Sequence, residues 1–197
     1  EMTDTFGHRL SGSENLERAV AWAVEAMKSD GLENVHTEPV TVPRWIRGTE
    51  SAEIVDSPRH PLAMIGLGGT VATPPGGIEA EVLVVTSFDD LRAKGTRARG
   101  RIVLFNVAYA GYAETVTYRT TGARVAAQHG AAAVLVRSIG PIGLRTAHTG
   151  SVTYLAGQSA IPAAAIAAED ANRIARLTAR GRAVRVRLVT SGSYGPD

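Results

Sequence analysis

The sequence has no cysteine and few aromatic residues, and neither sign of charge dominates it. Without cysteine there is no disulfide framework, no thiolate nucleophile and no Cys-ligated zinc; that absence fits oxidising and reducing compartments alike. Aromatic residues make up 5% of the chain, too few to interleave a stacking platform for single-stranded nucleic acid. Lys plus Arg number 21 against 19 Asp plus Glu, a net charge of +2, which does not make a polyanion-binding surface. No apolar run approaches the roughly 20 residues that a membrane-spanning helix needs. What the chain does have is 44% hydrophobic residues over 197 positions. A chain of that length buries around 70% of its unfolded surface, so disorder is excluded as the main state. Length allows one domain, or one domain with an appendage.

The first segment is punctuated as a helix. Ser11 and Glu14 stand at the spacing of a capping box, and Leu16, Ala19, Val20, Ala23 and Met27 follow at three- and four-residue intervals with Trp22 beside them. Gly31 is placed to stop that helix. His36 to Pro43 then reads as an extended, edge-like strand bounded by prolines. One helix and one edge strand cannot make a core, so this arm needs a partner. The sequence opens Glu1-Met2 with no apolar leader, which reads as a piece excised from a longer chain.

From about Gly48 the pattern changes to short strands separated by glycine-rich turns. Residues 51–55, 80–86, 101–107, 131–136, 161–166 and 183–189 carry strand signals. The runs Val82-Leu83-Val84-Val85 and Ile102-Val103-Leu104-Phe105 are continuously apolar, as expected of strands covered on both faces. Helices are expected near 120–128 and 168–179, with Gly130 and Gly181 as their C-terminal stops. In the last strand Arg185 and Arg187 alternate with Val184, Val186 and Leu188, the period of a half-solvated strand. Arg173, Arg176 and Arg180 share one face of the preceding helix, and this arginine set reads as a solvated face rather than a nucleic-acid surface.

Chemistry-bearing motifs are sparse. His8, His36, His60, His129 and His148 give no HExxH-type pair, and the adjacent Asp89 and Asp90 would point apart. No metal ligand set and no catalytic residue is assigned, since a catalytic zinc needs about three protein ligands. There is no G-x-S-x-G elbow. Gly66-Leu67-Gly68-Gly69 is followed by Thr73-Pro74-Pro75-Gly76-Gly77, a turn rather than a helix start, so these glycines serve backbone bends and not phosphate. The longest uncommitted stretch, 138–159, presents Arg145, His148 and Tyr154 as a cation, an imidazole and a phenol. Loops of that length are often functional, although the same side chains could simply bond the loop to itself.

Several strings resemble the carboxypeptidase Q family, also called plasma glutamate carboxypeptidase: Gly7-His8-Arg9-Leu10-Ser11-Gly12-Ser13-Glu14, Leu67-Gly68-Gly69-Thr70-Val71-Ala72-Thr73-Pro74-Pro75, Arg99-Gly100-Arg101-Ile102-Val103-Leu104-Phe105-Asn106 and His148-Thr149-Gly150. The resemblance covers nearly the whole chain. It implies a secreted or lysosomal peptidase with two co-catalytic zinc ions. In that family a catalytic α/β domain is interrupted by a protease-associated (PA) domain, an α/β module built as an open β-barrel or sandwich with flanking helices. Residues 1–46 would then be a helix–strand arm of the catalytic domain, 47–191 the PA domain and 192–197 a return linker.

The family's zinc ligands and general base fall after the insert, and Gly192 to Asp197 precedes them. By the resemblance, then, no residue here inherits a catalytic or metal role; no cofactor is expected in this segment and two zinc ions are expected in the parent. The implied job is to shape substrate access, with Arg145, His148 and Tyr154 as candidates to face substrate. Implied partners are the remainder of the catalytic domain, a peptide and a second copy in a homodimer, with neither nucleic acid nor a membrane span. Two other readings stay open: a stand-alone protein-interaction domain, and a complete hydrolase whose site is assembled from scattered residues.

Overall fold

A computed structural model describes residues 2–56 and 58–195; Glu1 of the arm and Pro196 and Asp197 of the linker lie outside them. The chain divides into two compact units, 1–46 with 194–197, and 47–193.

The first unit begins with α1 (Met2–Phe6) and α2 (Glu14–Ser29). The N-cap of α2 is Ser13, whose Oγ accepts the Leu16 N–H at 3.2 Å. The expected Ser11–Glu14 box is not formed, because Ser11 and Gly12 turn the chain: Gly12 has φ 72° and the Ser13 N–H closes on the Leu10 carbonyl. The predicted stop is in place. Gly31 has φ 82°, and its own N–H and that of Leu32 reach back to the carbonyls of Lys28 and Met27. Phe6 packs on Trp22 with ring centroids 6.1 Å apart. Along the apolar stripe Ala19 is buried, whereas Val20 and Met27 are 37% and 47% exposed. Residues 36–43 are not a strand; they run without a ladder partner, and prolines 39 and 43 remove two donors that a ladder would need. The arm ends in β1 (Trp45–Ile46).

The second unit holds β2 (Glu50–Ile54), β3 (His60–Pro61), β4 (Met64–Gly66), β5 (Ile78–Val85), α3 (Phe88–Lys94), β6 (Ile102–Phe105), α4 (Tyr112–Gln128), β7 (Ala133–Arg137), β8 (Ala163–Ile166), α5 (Ala168–Ala179) and β9 (Arg185–Thr190). A last short strand, β10 (Ser193–Tyr194), returns to β1. Strands β2 to β9 form one mixed sheet in the order β3-β2-β9-β5-β6-β7-β8-β4. Its centre, β5 to β8, is parallel, and β9, β2, β3 and β4 are joined antiparallel. The α/β class with a curled, open-barrel sheet is the one expected from the sequence.

Topology explains the curl. β3 and β4 occupy the two ends of the sheet, yet two residues separate them in the chain, so the ends must come together. At that seam the Glu50 carboxylate accepts the Gly66 N–H at 3.0 Å, and Arg47 donates both to the Gly66 carbonyl at 2.8 Å and to Glu50 at 2.5 Å. An ion pair thus satisfies edge groups that a further strand would otherwise take.

The continuously apolar strands are covered on both faces, as predicted. One face packs Leu104, Leu135 and Ile166 with Ala171 and Ile174 of α5. The other packs Val103, Phe105 and Val134 with Leu91 of α3 and Ala123 and Ala126 of α4. Two departures from the sequence-based expectation concern this second layer. Helix α3 is seven residues long and carries no apolar period; Ser87 caps it by accepting the Asp90 N–H at 2.9 Å. Helix α4 starts at Tyr112 instead of near Thr120, because its first turns bury Thr115 and Arg119 rather than apolar side chains.

Candidate functional site

The carboxyl ends of the parallel strands β5 to β8 lie along one edge of the sheet, the place where open α/β sheets gather ligands. Each loop leaving that edge is held by polar side chains. After β5, the Asp90 carboxylate accepts from the Thr86 N–H at 2.9 Å and from Lys94 at 2.8 Å. Burial pushes its carboxyl up, but the Lys94 ammonium and the Thr86 N–H outweigh that and bring it below the ordinary aspartate value. Asp89 and Asp90 point apart, as expected, for Asp89 pairs with Arg92. After β6 and β7, Arg137 donates to Asn106 Oδ1 at 3.2 Å and to Asn172 Oδ1 of α5 at 2.5 Å.

The connection from β7 to β8, residues 138–162, is a parallel crossover with no helix in it, where a helix is the usual solution. Its second half takes over a helix's packing role. Ser151 bridges to Gly68, the Thr153 N–H donates to the Thr120 carbonyl at 2.8 Å, and Val152 and Tyr154 join the α4-side core. Its first half is tied to the start of α5. The Gly143 N–H donates to Glu169 at 2.5 Å, and Arg145 Nε donates to Asp170 at 3.1 Å. The bend that achieves this puts Arg145 at φ 47°, uncommon for a residue with a Cβ. Beside these ties Ile142 and Leu144 stand 62% and 85% exposed.

The three candidates named from the sequence take different places in that crossover. Arg145 leaves the tip for Asp170, and its Nη2 also donates to the Pro61 carbonyl at 2.6 Å. His148 donates its backbone N–H to Ser138 Oγ at 2.8 Å and sets Nδ1 2.7 Å from the Ile139 carbonyl. Tyr154 is half-buried, with its hydroxyl donating to the Ile161 carbonyl at 2.6 Å. Arg145 and His148 therefore lie on the same tip, and Tyr154 belongs to the packed half.

Asp170 was missed by sequence reasoning. Its side chain is 3% exposed and gathers the Ala63 N–H at 2.7 Å, Arg145, and His60 Nε2 at 3.4 Å. The available signal was a pair of carboxylates in the first turn of a helix, Glu169 and Asp170, where the helix dipole favours negative charge. Arg119, buried on α4, was missed for the same reason the start of α4 was.

Glu169 gives the tip a pH signature. The Gly143 N–H, its own N–H and that of Arg145 hold its carboxyl below the ordinary glutamate value of 4.5. A depressed folded-state value means that the tether is present above the unfolded value and is lost as pH falls through the lower folded one. Exchange protection of the Gly143 amide is expected to persist to pH 4.5 and to fade only below it; loss of protection nearer neutrality would contradict the tether.

Among the described residues no three His, Asp or Glu side chains gather as a metal site. No helix among them is long and apolar enough to cross a membrane.

No protein-family model matches the chain. Curated relatives do. Carboxypeptidase Q of Bos taurus is 47% identical over 196 residues, and that of Homo sapiens 45%; each alignment covers all of this chain and 42% of the relative. The chain thus spans about two-fifths of the length of the curated relatives it matches. Among solved structures, a peptidase M28 precursor from Shewanella amazonensis superimposes with a TM-score of 0.92 at 36% identity, over 98% of this chain and 46% of that one. A zinc aminopeptidase from Bacillus subtilis shares the fold, with a TM-score of 0.61 at 16% identity over 97% of this chain and 41% of its own. By sequence along its whole length, the chain belongs with carboxypeptidase Q.

Proposed function

We propose that this chain is the non-catalytic part of a secreted or lysosomal zinc peptidase of carboxypeptidase Q type. Residues 47–191 are its PA domain, which shapes access of peptide substrates, and residues 1–46 belong to the catalytic domain. Residues 192–197 are the linker that returns the chain to that domain, and two copies of the whole peptidase form a homodimer. The observation that carries the reading is α2. This helix has a made N-cap and a made C-terminal stop, yet Val20 and Met27 of its apolar stripe are each left more than a third exposed. Covering a large apolar side chain is worth about 1.5–3 kcal/mol, so the stripe marks a face built to be packed by further chain.

The parent's zinc finds no fit here, because the described His, Asp and Glu side chains do not gather in threes. No chemical step is assigned to these residues. The contribution of the 47–191 domain is steric and polar, through the exposed tip around Ile142, Leu144, Arg145 and His148.

Elemental analysis and dipeptide hydrolysis, run on this chain and on the longer peptidase, test the proposal. The expected result is stoichiometric zinc and turnover in the longer protein only; zinc-dependent turnover by these 197 residues alone would overturn it. In the longer protein the double variant R145A/H148A is expected to change the ranking of peptide substrates. Identical kinetics across a peptide panel would remove the tip from substrate contact.

A further inference from the structure

Arg119 sits two turns into α4 with 6% of its surface exposed. A guanidinium is charged at all accessible pH values, and a buried charge is costly unless it is paired. Yet the groups it meets are neutral. Nη1 donates to the Thr149 carbonyl at 3.0 Å, Nη2 donates to the Tyr112 hydroxyl at 2.7 Å, and Nε, fully enclosed, has no hydrogen-bond partner. Three other cations of this unit, Arg47, Lys94 and Arg145, each reach a carboxylate; half-buried Arg137 meets two asparagine oxygens instead, but none of these is as enclosed as Arg119.

The geometry of the guanidinium identifies what it is shaped to hold. Nε–H and the adjacent Nη2–H lie on one edge and point the same way, the fork that takes both oxygens of a carboxylate. At Arg119 the Nη2 end of this fork is taken by a phenol, which supplies one oxygen where a carboxylate supplies two, and the Nε end has no partner. Nη1 is fixed by Thr149, and the plane is backed by Gly150, where a Cβ would collide with the guanidinium. The Tyr112 ring lies 5.6 Å from the guanidinium carbon and is 54% exposed. Tyr112 is also the first residue of α4, and its N-cap, Gly111, makes no side-chain hydrogen bond. It is the exposed wall of this site.

We propose that Arg119 is a carboxylate receptor: a carboxylate from outside this unit displaces the Tyr112 hydroxyl and takes Nε and Nη2 together. The proposal stands independently of the peptidase reading. Carboxylates of this kind come from two sources, the C-terminus of a peptide and an acidic side chain of another protein segment.

The test follows the Arg119 Nε–H resonance of the isotopically labelled chain by NMR. Three probes are titrated: N-acetyl-dialanine, which has a terminal carboxylate; N-acetyl-aspartic acid α-amide, which has a side-chain carboxylate alone; and N-acetyl-dialaninamide, which has neither. At least one acid is expected to move the resonance saturably while the amide does not, and the acid that binds more tightly identifies the source. R119K, followed through the backbone amides of Thr149 and Gly150 that adjoin the guanidinium, should weaken binding by about tenfold or more, since an ammonium cannot offer the fork. Y112F, which removes the competing hydroxyl, should tighten it about fivefold, the equivalent of one ordinary hydrogen bond. The proposal is overturned if neither acid moves the resonance more than the amide does. It is equally overturned if R119K binds as the parent does, or if Y112F binds no tighter. Should R119K fail to fold, the Y112F result decides.

Discussion

Phe105→Ala is expected to lower the stability of the 47–193 unit by about 3–5 kcal/mol, the cost of emptying a large, fully enclosed aromatic site. The ring is completely buried at the end of β6. It meets Phe88 edge-on at 5.4 Å and lies 5.6 Å from Tyr118, so truncation removes two aromatic contacts along with the apolar area. On the α4 side the ring packs directly on Gly122, where a Cβ would lie 3.0 Å from it, so that position has no side chain with which to fill the space. Urea unfolding followed by far-ultraviolet circular dichroism is the measurement, and a loss under about 1.5 kcal/mol would mean that the ring is not packed as described. Gly122→Ala in the intact protein should cost about 1–3 kcal/mol by overpacking. In the Phe105→Ala background the same change should cost less, since the two positions share one space.

The second large effect is expected at Asp170. Removing one member of a buried ion pair costs about 3–5 kcal/mol when the other charge is left enclosed. Asp170 is enclosed but its partner Arg145 is 46% exposed and can return to water, so Asp170→Ala is placed at the lower end, about 3 kcal/mol. Its distinguishing result is spatial. The variant releases Arg145 and the Ala63 N–H together, so amides near 63 and near 145 should gain hydrogen exchange in step while those of β6 stay protected. Unchanged exchange at either place would show that Asp170 is not the shared anchor.

Much of the central sheet was legible because its physics is local. Val82 to Val85 and Ile102 to Phe105 are apolar at every position, and only strands buried on both sides use such runs. Arg185 and Arg187 alternate outward in β9, where they meet Glu79 and the Gly76 carbonyl. Elements defined by tertiary partners were not legible. Strands β3 and β4 are two and three residues long and exist because the sheet closes on itself. The first turns of α4 spend buried positions on Thr115 and Arg119, which erases the apolar period that would have signalled them. The long stretch after β7 reads from sequence as a candidate functional loop on its length. That length is set by the crossover itself, which any parallel pair requires, and its second half packs on the α4-side core.

The tip of that crossover also has an evolutionary meaning. Between Ser138, bonded to the Ile166 carbonyl, and Ser151, bridged to Gly68, no ladder constrains the chain, so residues can be added or lost there without shifting β7 against β8. Lengthening such a span costs only the slow logarithmic entropy of a larger loop. Related chains can therefore differ in this cassette while their sheets stay superimposable.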